Sequence, residues 1–248
     1  MTHRMPTTPG LVGNTARAPR LVELADADAL AEALADHVAA ALARRIADGT
    51  RAALAVSGGR TPQRFFAALS QRGIDWHAVD VTLVDERWVD ETSERSNARL
   101  VREHLLCGPA AAARFVPLHQ DAEPTPEAAR IAIESRIAAM PLPFAAVVLG
   151  MGEDGHTASL FPDGDRLAQA LDPASGRHIE TMRAAAAIEP RITLTLPAIV
   201  QTDTLVLHIE GDAKRRVLES ALAAPTATAP IAAVLAHSVH PATVFWCP

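Results

Sequence analysis

Three short apolar runs in this chain each end on a segment dense in glycine and charge, and that arrangement restricts the possible folds most. Residues 52–56 lead into Ser57-Gly58-Gly59-Arg60-Thr61-Pro62, residues 81–84 into Asp85-Glu86-Arg87, and residues 145–149 into Gly150-Met151-Gly152-Glu153-Asp154-Gly155-His156-Thr157. Apolar runs of this length, alternating with helical stretches, read as buried parallel strands. In an open α/β sheet the loops leaving the carboxyl ends of parallel strands share one edge, and ligands bind there. Segments far apart in sequence are therefore expected to meet at one cleft, as in an enzyme.

The rest of the chain fits that scheme. Residues 1–20 are rich in Thr, Pro, Gly and Arg without a period and read as a flexible tail ahead of a domain over 21–248. Strands are expected at 21–24, 52–56, 81–84, 115–118, 145–149, 205–209 and 243–246, with an edge strand at 178–182. Residues 191–196 alternate apolar and polar, as a half-buried strand does. Asp26 or Asp28 is expected to cap a long helix that Gly49 stops, Thr61 to cap one with Pro62 in its first turn, Ser96 or Asn97 to start a third, and Thr125-Pro126 a fourth. Asp212 is expected to cap a further helix. Alternation throughout points to α/β: a single doubly wound, Rossmann-like domain with a mostly parallel central sheet flanked by helices.

Composition narrows the function classes. A net charge of −6 with scattered basic residues gives no case for nucleic acid or an anionic membrane as partner. Cys107 and Cys247 lack metal-ligand spacing and form no disulfide framework. No apolar run approaches the roughly 20 residues that span a bilayer, and no secretory h-region is evident, so a cytoplasmic protein is expected.

The segments carry identifiable chemistry. Ser57 to Pro62, between a strand and a helix, presents backbone N–H groups and a helix N-terminus to an anion, with Ser57 and Thr61 adding hydroxyls and Gly58 and Gly59 allowing close approach. A tight turn with an ordinary cap is the plainer reading. Asp85 and Glu86 suit sugar hydroxyls or acid/base work, and Arg87 suits bidentate contact with a phosphate or carboxylate; a solvated loop is the alternative. His156, among glycines at a strand end, suits a general base. Asp154 can fix its tautomer or act as a separate ligand; spacing alone leaves both open. Lys214, in the first turn of a helix, would join the helix dipole in holding an anion or else reach into solvent. Arg191 would join the anion site or pair with Glu189. A metal held by Asp85, Glu86, Asp154 and His156 lacks any HxxxH, HxH or cysteine-pair support and is not expected.

With those residues in place the chain resembles the bacterial-type 6-phosphogluconolactonases. The matching segments are SGGRTP at 57–62, VDERWV at 84–89 with SERSN at 93–97, GMGEDGHTASLFPD at 150–163, RITLTLPAI at 191–199 and GDAK at 211–214, in order over most of the chain. The resemblance implies a doubly wound α/β fold. It also implies hydrolysis of 6-phospho-D-glucono-1,5-lactone in the oxidative pentose phosphate pathway. His156 would be the general base and Asp154 its partner, with substrate held by Ser57, Gly58, Gly59, Thr61, Asp85, Glu86, Arg87, Arg191 and Lys214. It implies no cofactor or metal, a small-molecule sugar-phosphate lactone as partner, and a monomer. The related glucosamine-6-phosphate deaminases carry a Glu shortly after that His and an aromatic residue after the acidic pair. Here Thr157-Ala158-Ser159-Leu160-Phe161-Pro162 has no carboxylate and Arg87 follows the pair, which favours the lactonase. A non-catalytic sugar-phosphate sensor would lack the imidazole and carboxylate that this chain keeps.

Overall fold

The computed structural model describes residues 18–185, 187–223 and 229–248. The expected tail at 1–20 falls almost wholly outside them. The strands are β1 (Arg20–Glu23), β2 (Ala52–Val56), β3 (Val79–Leu83), β4 (Asp85–Arg87), β5 (Arg114–Val116), β6 (Ala146–Leu149), β7 (Ile179–Met182), β8 (Arg191–Leu194), β9 (Leu205–Glu210) and β10 (Thr243–Cys247). The helices are α1 (Ala27–Ala47), α2 (Gln63–Ser70), α3 (Asn97–His104), α4 (Pro126–Ala138), α5 (Leu167–Ala170), α6 (Leu196–Val200), α7 (Asp212–Ala223) and α8 (Pro230–His237).

Local chemistry accounts for most of these bounds. Asp26 Oδ1 accepts the Ala29 N–H at 2.8 Å and caps α1, whose Leu30, Leu34, Val38 and Leu42 are buried at helical spacing. Gly49, at φ +77, carries the chain out of it. Ser96 caps α3 and Thr125 caps α4 through bonds to the N–H groups of Arg99 and Ala128. One expected cap is corrected: α2 begins at Gln63, Pro62 holds the cap position, and no side chain caps it. Thr61 instead faces the cavity described below.

Seven strands form one parallel sheet in the order β1-β10-β9-β6-β2-β3-β5. From β2 the chain winds outward through β3 to β5, then returns to β6 on the other side of β2 and winds outward through β9 to β10. The winding direction therefore reverses between β2 and β6, the point in such sheets where ligands bind beyond the carboxyl ends. Both strands are buried throughout, as the sequence pattern implied.

A second sheet, β4-β8-β7, is antiparallel and was not legible in advance. Asp85-Glu86-Arg87, expected as a loop, pairs with β8 in the register Asp85↔Thr193, Glu86↔Ile192, Arg87↔Arg191. Val84 joins the two sheets: its N–H donates to the Val56 carbonyl of β2 (2.9 Å) and its carbonyl accepts from Leu194 N–H (2.8 Å). The small sheet is thereby held against the carboxyl edge of the large one. β8 is also corrected, because its polar positions Arg191 and Thr193 are buried along with Ile192 and Leu194. No described helix is long and apolar enough to cross a membrane.

Candidate active site

The loops after β2 and β6 are bonded to each other at the reversal point. Ser57 Oγ accepts the Gly150 N–H at 2.9 Å, and Thr157 Oγ1 donates to the Gly150 carbonyl at 2.7 Å. Between them and the small sheet lies a cavity of about 290 Å³, close to the lower end of the ~300–1,000 Å³ usual for small-molecule sites. Its wall includes Ser57, Gly58, Gly59 and Thr61 from the first loop, Asp85 and Arg87 from β4, His156 from the second loop and Lys214 from α7. Segments from four separate stretches of sequence thus converge on one hollow.

His156 is held by its own loop. Its Nδ1 lies 2.5 Å from Asp154 Oδ1, which also accepts the His156 backbone N–H at 3.1 Å. Burial raises the Asp154 carboxyl, but these bonds and the adjacent imidazole outweigh it and keep the group below the usual aspartate range. An ionised Asp154 accepts, so Nδ1 carries the proton and Nε2 is left with its lone pair. The choice left open by spacing is settled in favour of contact: Asp154 stands behind the ring rather than on the cavity wall. The ring packs on Phe161 at 4.7 Å between centroids and is 31 % exposed. Gly152 is required here, since a Cβ would stand 2.2 Å from His156 Cε1. Ala158, also on the wall, has φ +50, an uncommon conformation for a residue with a Cβ.

Asp85 and Glu86 take opposite directions because successive strand residues alternate in facing. Asp85 faces the cavity and accepts the Ser159 hydroxyl at 2.6 Å. Glu86 is wholly buried beneath the start of α3. It accepts the N–H groups of Arg87, Asn97 and Ala98 at 2.7–2.8 Å and the Ser96 hydroxyl at 3.0 Å. Burial pushes its carboxyl up to about 7, against the pull of those backbone donors and with a further push from Asp85. The expectation that Glu86 binds substrate is corrected: its oxygens are committed to a helix N-terminus. The metal set considered from sequence is broken up by the same placement. Among the described residues no cluster of three or more His, Cys, Asp or Glu is arranged as metal ligands.

Arg87 donates to the Arg95 carbonyl (2.7 Å) and Asn97 Oδ1 (3.0 Å), while its buried Nε has no hydrogen-bond partner among the described residues. Arg191 lies directly across the strand pair from it. Two like charges in that register oppose each other, an arrangement that an anion between them would relieve. Arg191 nonetheless does not line the cavity: it is 8 % exposed, its guanidinium lies 5.8 Å from the Phe161 ring, and burial lowers its pKa. Nor does it pair with Glu189, which binds Arg95 at 2.5 Å.

Among the wall residues that sequence reasoning did not assign to the site are Asn97 and His208. Asn97 was read only as a helix start, yet its amide donates to the Asp85 carbonyl at 2.8 Å and its oxygen receives Arg87. It also dictates Gly58, whose Cβ would stand 1.9 Å from Asn97 Oδ1. His208 sits in the apolar run of β9, where nothing local distinguishes it from a core residue.

Comparison with known proteins identifies the family. Residues 25–246 match the family described as glucosamine-6-phosphate isomerases/6-phosphogluconolactonase, and the chain belongs to that family. It is 52 % identical over 221 residues to a 6-phosphogluconolactonase of Rhizobium meliloti, covering 89 % of this chain and 95 % of the relative. It is 42 % identical to one from Pseudomonas aeruginosa, over 88 % of this chain and 90 % of that one. A crystal structure of a 6-phosphogluconolactonase from Shewanella baltica superposes with a TM-score of 0.90 at 38 % identity, over 94 % of this chain and 99 % of the other.

Proposed function

We propose that this enzyme, a lactone hydrolase, opens 6-phospho-D-glucono-1,5-lactone to 6-phospho-D-gluconate in the cytoplasm, with His156 as general base. The observation that carries the reading is the shared cavity: an imidazole whose Nε2 is free to take a proton lines the same hollow as Arg87, Lys214 and the Ser57–Thr61 turn.

In this reading Nε2 of His156 takes a proton from water as its oxygen attacks C1. The bond from C1 to the ring oxygen then breaks, and the proton passes to that oxygen, leaving a carboxylic acid that ionises. Asp154 stabilises the imidazolium and holds the ring in place. The phosphate is held at a distance by the cations and the turn, and that binding energy positions C1 against the base. Asp85, which the Ser159 hydroxyl holds, accepts from sugar hydroxyls. Against deamination, the segment after His156 carries no carboxylate: Ala158 lines the cavity, Ser159 is committed to Asp85, and Leu160 and Phe161 are buried.

The test is a coupled assay of lactone hydrolysis with the spontaneous opening subtracted. A rate well above background is expected. No rate above background, or ammonia release from glucosamine 6-phosphate, would overturn the reading.

A further inference from the structure

β9 places a second carboxylate–imidazole pair at the cavity. Along this strand Val206, His208 and Glu210 share one face, while Leu205, Leu207 and Ile209 take the other. His208 is 3 % exposed, lines the cavity, and packs edge-on to Phe65 of α2 at 6.4 Å. Its Nε2 lies 3.1 Å from Glu210 Oε1. That hydrogen bond is the main cause of a lowered Glu210 pKa, which Arg64 and Lys214 lower further. An ionised Glu210 accepts, so Nε2 of His208 donates to it. Nδ1 makes no protein hydrogen bond among the described residues.

Packing alone does not explain this choice. A leucine would fill the same space beside Phe65 without bringing an imidazole into the interior, where it costs free energy unless partnered. Lys214, four residues after Glu210 on the same strand-to-helix connection, and the glycine turn of Gly58 and Gly59 line the same cavity. The short strand β4 brings both the carboxylate of Asp85 and the guanidinium of Arg87 to the same cavity. A dianionic phosphate avoids the Asp85 carboxylate and is drawn to the cations, of which Lys214 stands on the β9 side.

Resting on the lactonase reading, we propose that His208, oriented by Glu210, is a specificity-determining residue that contacts the phosphate of the substrate from the Lys214 side of the cavity. With the phosphate bound, His208 is the imidazolium, donating Nε2–H to Glu210 and Nδ1–H to a phosphate oxygen, and Glu210 fixes the ring so that Nδ1 faces the ligand. Glu210 is a positioning residue, acting through His208 without touching substrate.

The experiment compares kcat/KM for the phosphorylated lactone and for unphosphorylated glucono-1,5-lactone, in the parent and in His208→Leu, His208→Gln and Glu210→Gln. It is paired with calorimetric binding of 6-phosphogluconate and of gluconate. Under the proposal, His208→Leu lowers the ratio of the two kcat/KM values at least tenfold and weakens 6-phosphogluconate binding more than gluconate binding. Glu210→Gln lowers the ratio less, and His208→Gln, which keeps a polar group, recovers part of it. Folded variants that keep the parental ratio and the parental preference for 6-phosphogluconate overturn the proposal. If His208→Leu does not fold, a parental ratio in Glu210→Gln and His208→Gln together overturns it. A parent enzyme without lactonase activity above background would instead remove the lactonase reading itself, so the two failures are told apart.

Discussion

The two carboxylate–imidazole pairs differ in nearly everything except composition. Asp154 and His156 belong to a glycine-rich loop, and the imidazole is 31 % exposed. Glu210 and His208 belong to a central strand, and that imidazole is 3 % exposed. In the first pair the residues are two apart on a turn, and Gly152 and Gly155 fold the loop so that they meet, with Gly155 at φ +76. In the second they are also two apart, and strand alternation alone brings them to one face. A proton acceptor needs access to water and the reacting carbon, which a loop at a strand end provides. A group that discriminates among ligands gains from a fixed position, which a strand provides.

That contrast is broken most directly by His156→Ala. Loss of a general base is expected to lower kcat by roughly 10²–10⁴-fold with KM little changed; steady-state kinetics above the spontaneous background would show it, and an unaltered kcat would sink the assignment. Next in size are Arg87→Ala and Lys214→Ala. Each is expected to lower kcat/KM for the phosphorylated lactone by about 10- to 100-fold, the worth of a charge-assisted hydrogen bond, with less loss on the unphosphorylated one. Equal losses on both substrates would mean that these cations do not read phosphate. Asp154→Asn and Gly152→Ala follow, each expected to reduce kcat by about tenfold, because the first loosens the ring and the second displaces it while it remains a base. Agreement between the two variants would show that orientation, rather than the Asp154 charge alone, sets the rate.

The smallest effects on rate concern pH and stability, and two carboxylates should differ in sign. Glu86 has its pKa raised from 4.5 to about 7 in the fold. Its contribution is therefore complete below the unfolded value and is lost as pH rises through about 7. Asp154 is lowered, so its contribution is present above the ordinary aspartate value and is lost as pH falls through the folded one. Denaturant unfolding across pH 4–8 should thus show the slope between 4.5 and 7 flattened in Glu86→Gln, while Asp154→Asn alters only the acid limb.

How much was legible depended on how local the signal was. The buried runs at 52–56 and 145–149 and the caps at Asp26, Ser96 and Thr125 declare themselves within a few residues, and each appears as expected. The pairing of β4 with β8 joins segments about a hundred residues apart, and nothing in Asp85-Glu86-Arg87 foretells it. For the same reason sequence reasoning kept Asp85 and Glu86 together, when strand alternation separates a cavity group from the cap of α3. Thr61 read as a helix cap because a Thr-Pro pair has that local meaning, and the cavity claims it instead. His208 was hidden by apolar neighbours: its significance comes from what lies across the sheet edge.

The bond from Gly150 to Ser57 carries a further implication. The two halves of the large sheet wind away from each other, and this hydroxyl stitches them together where the chain leaves β2 and β6. A tug on the turn that would grip the distal end of the sugar is transmitted, through one peptide, to the root of the loop bearing the base. Under the proposed reading, grasping the ligand and aligning the reactive nitrogen would be mechanically one act, so damage to either hand should be felt by both.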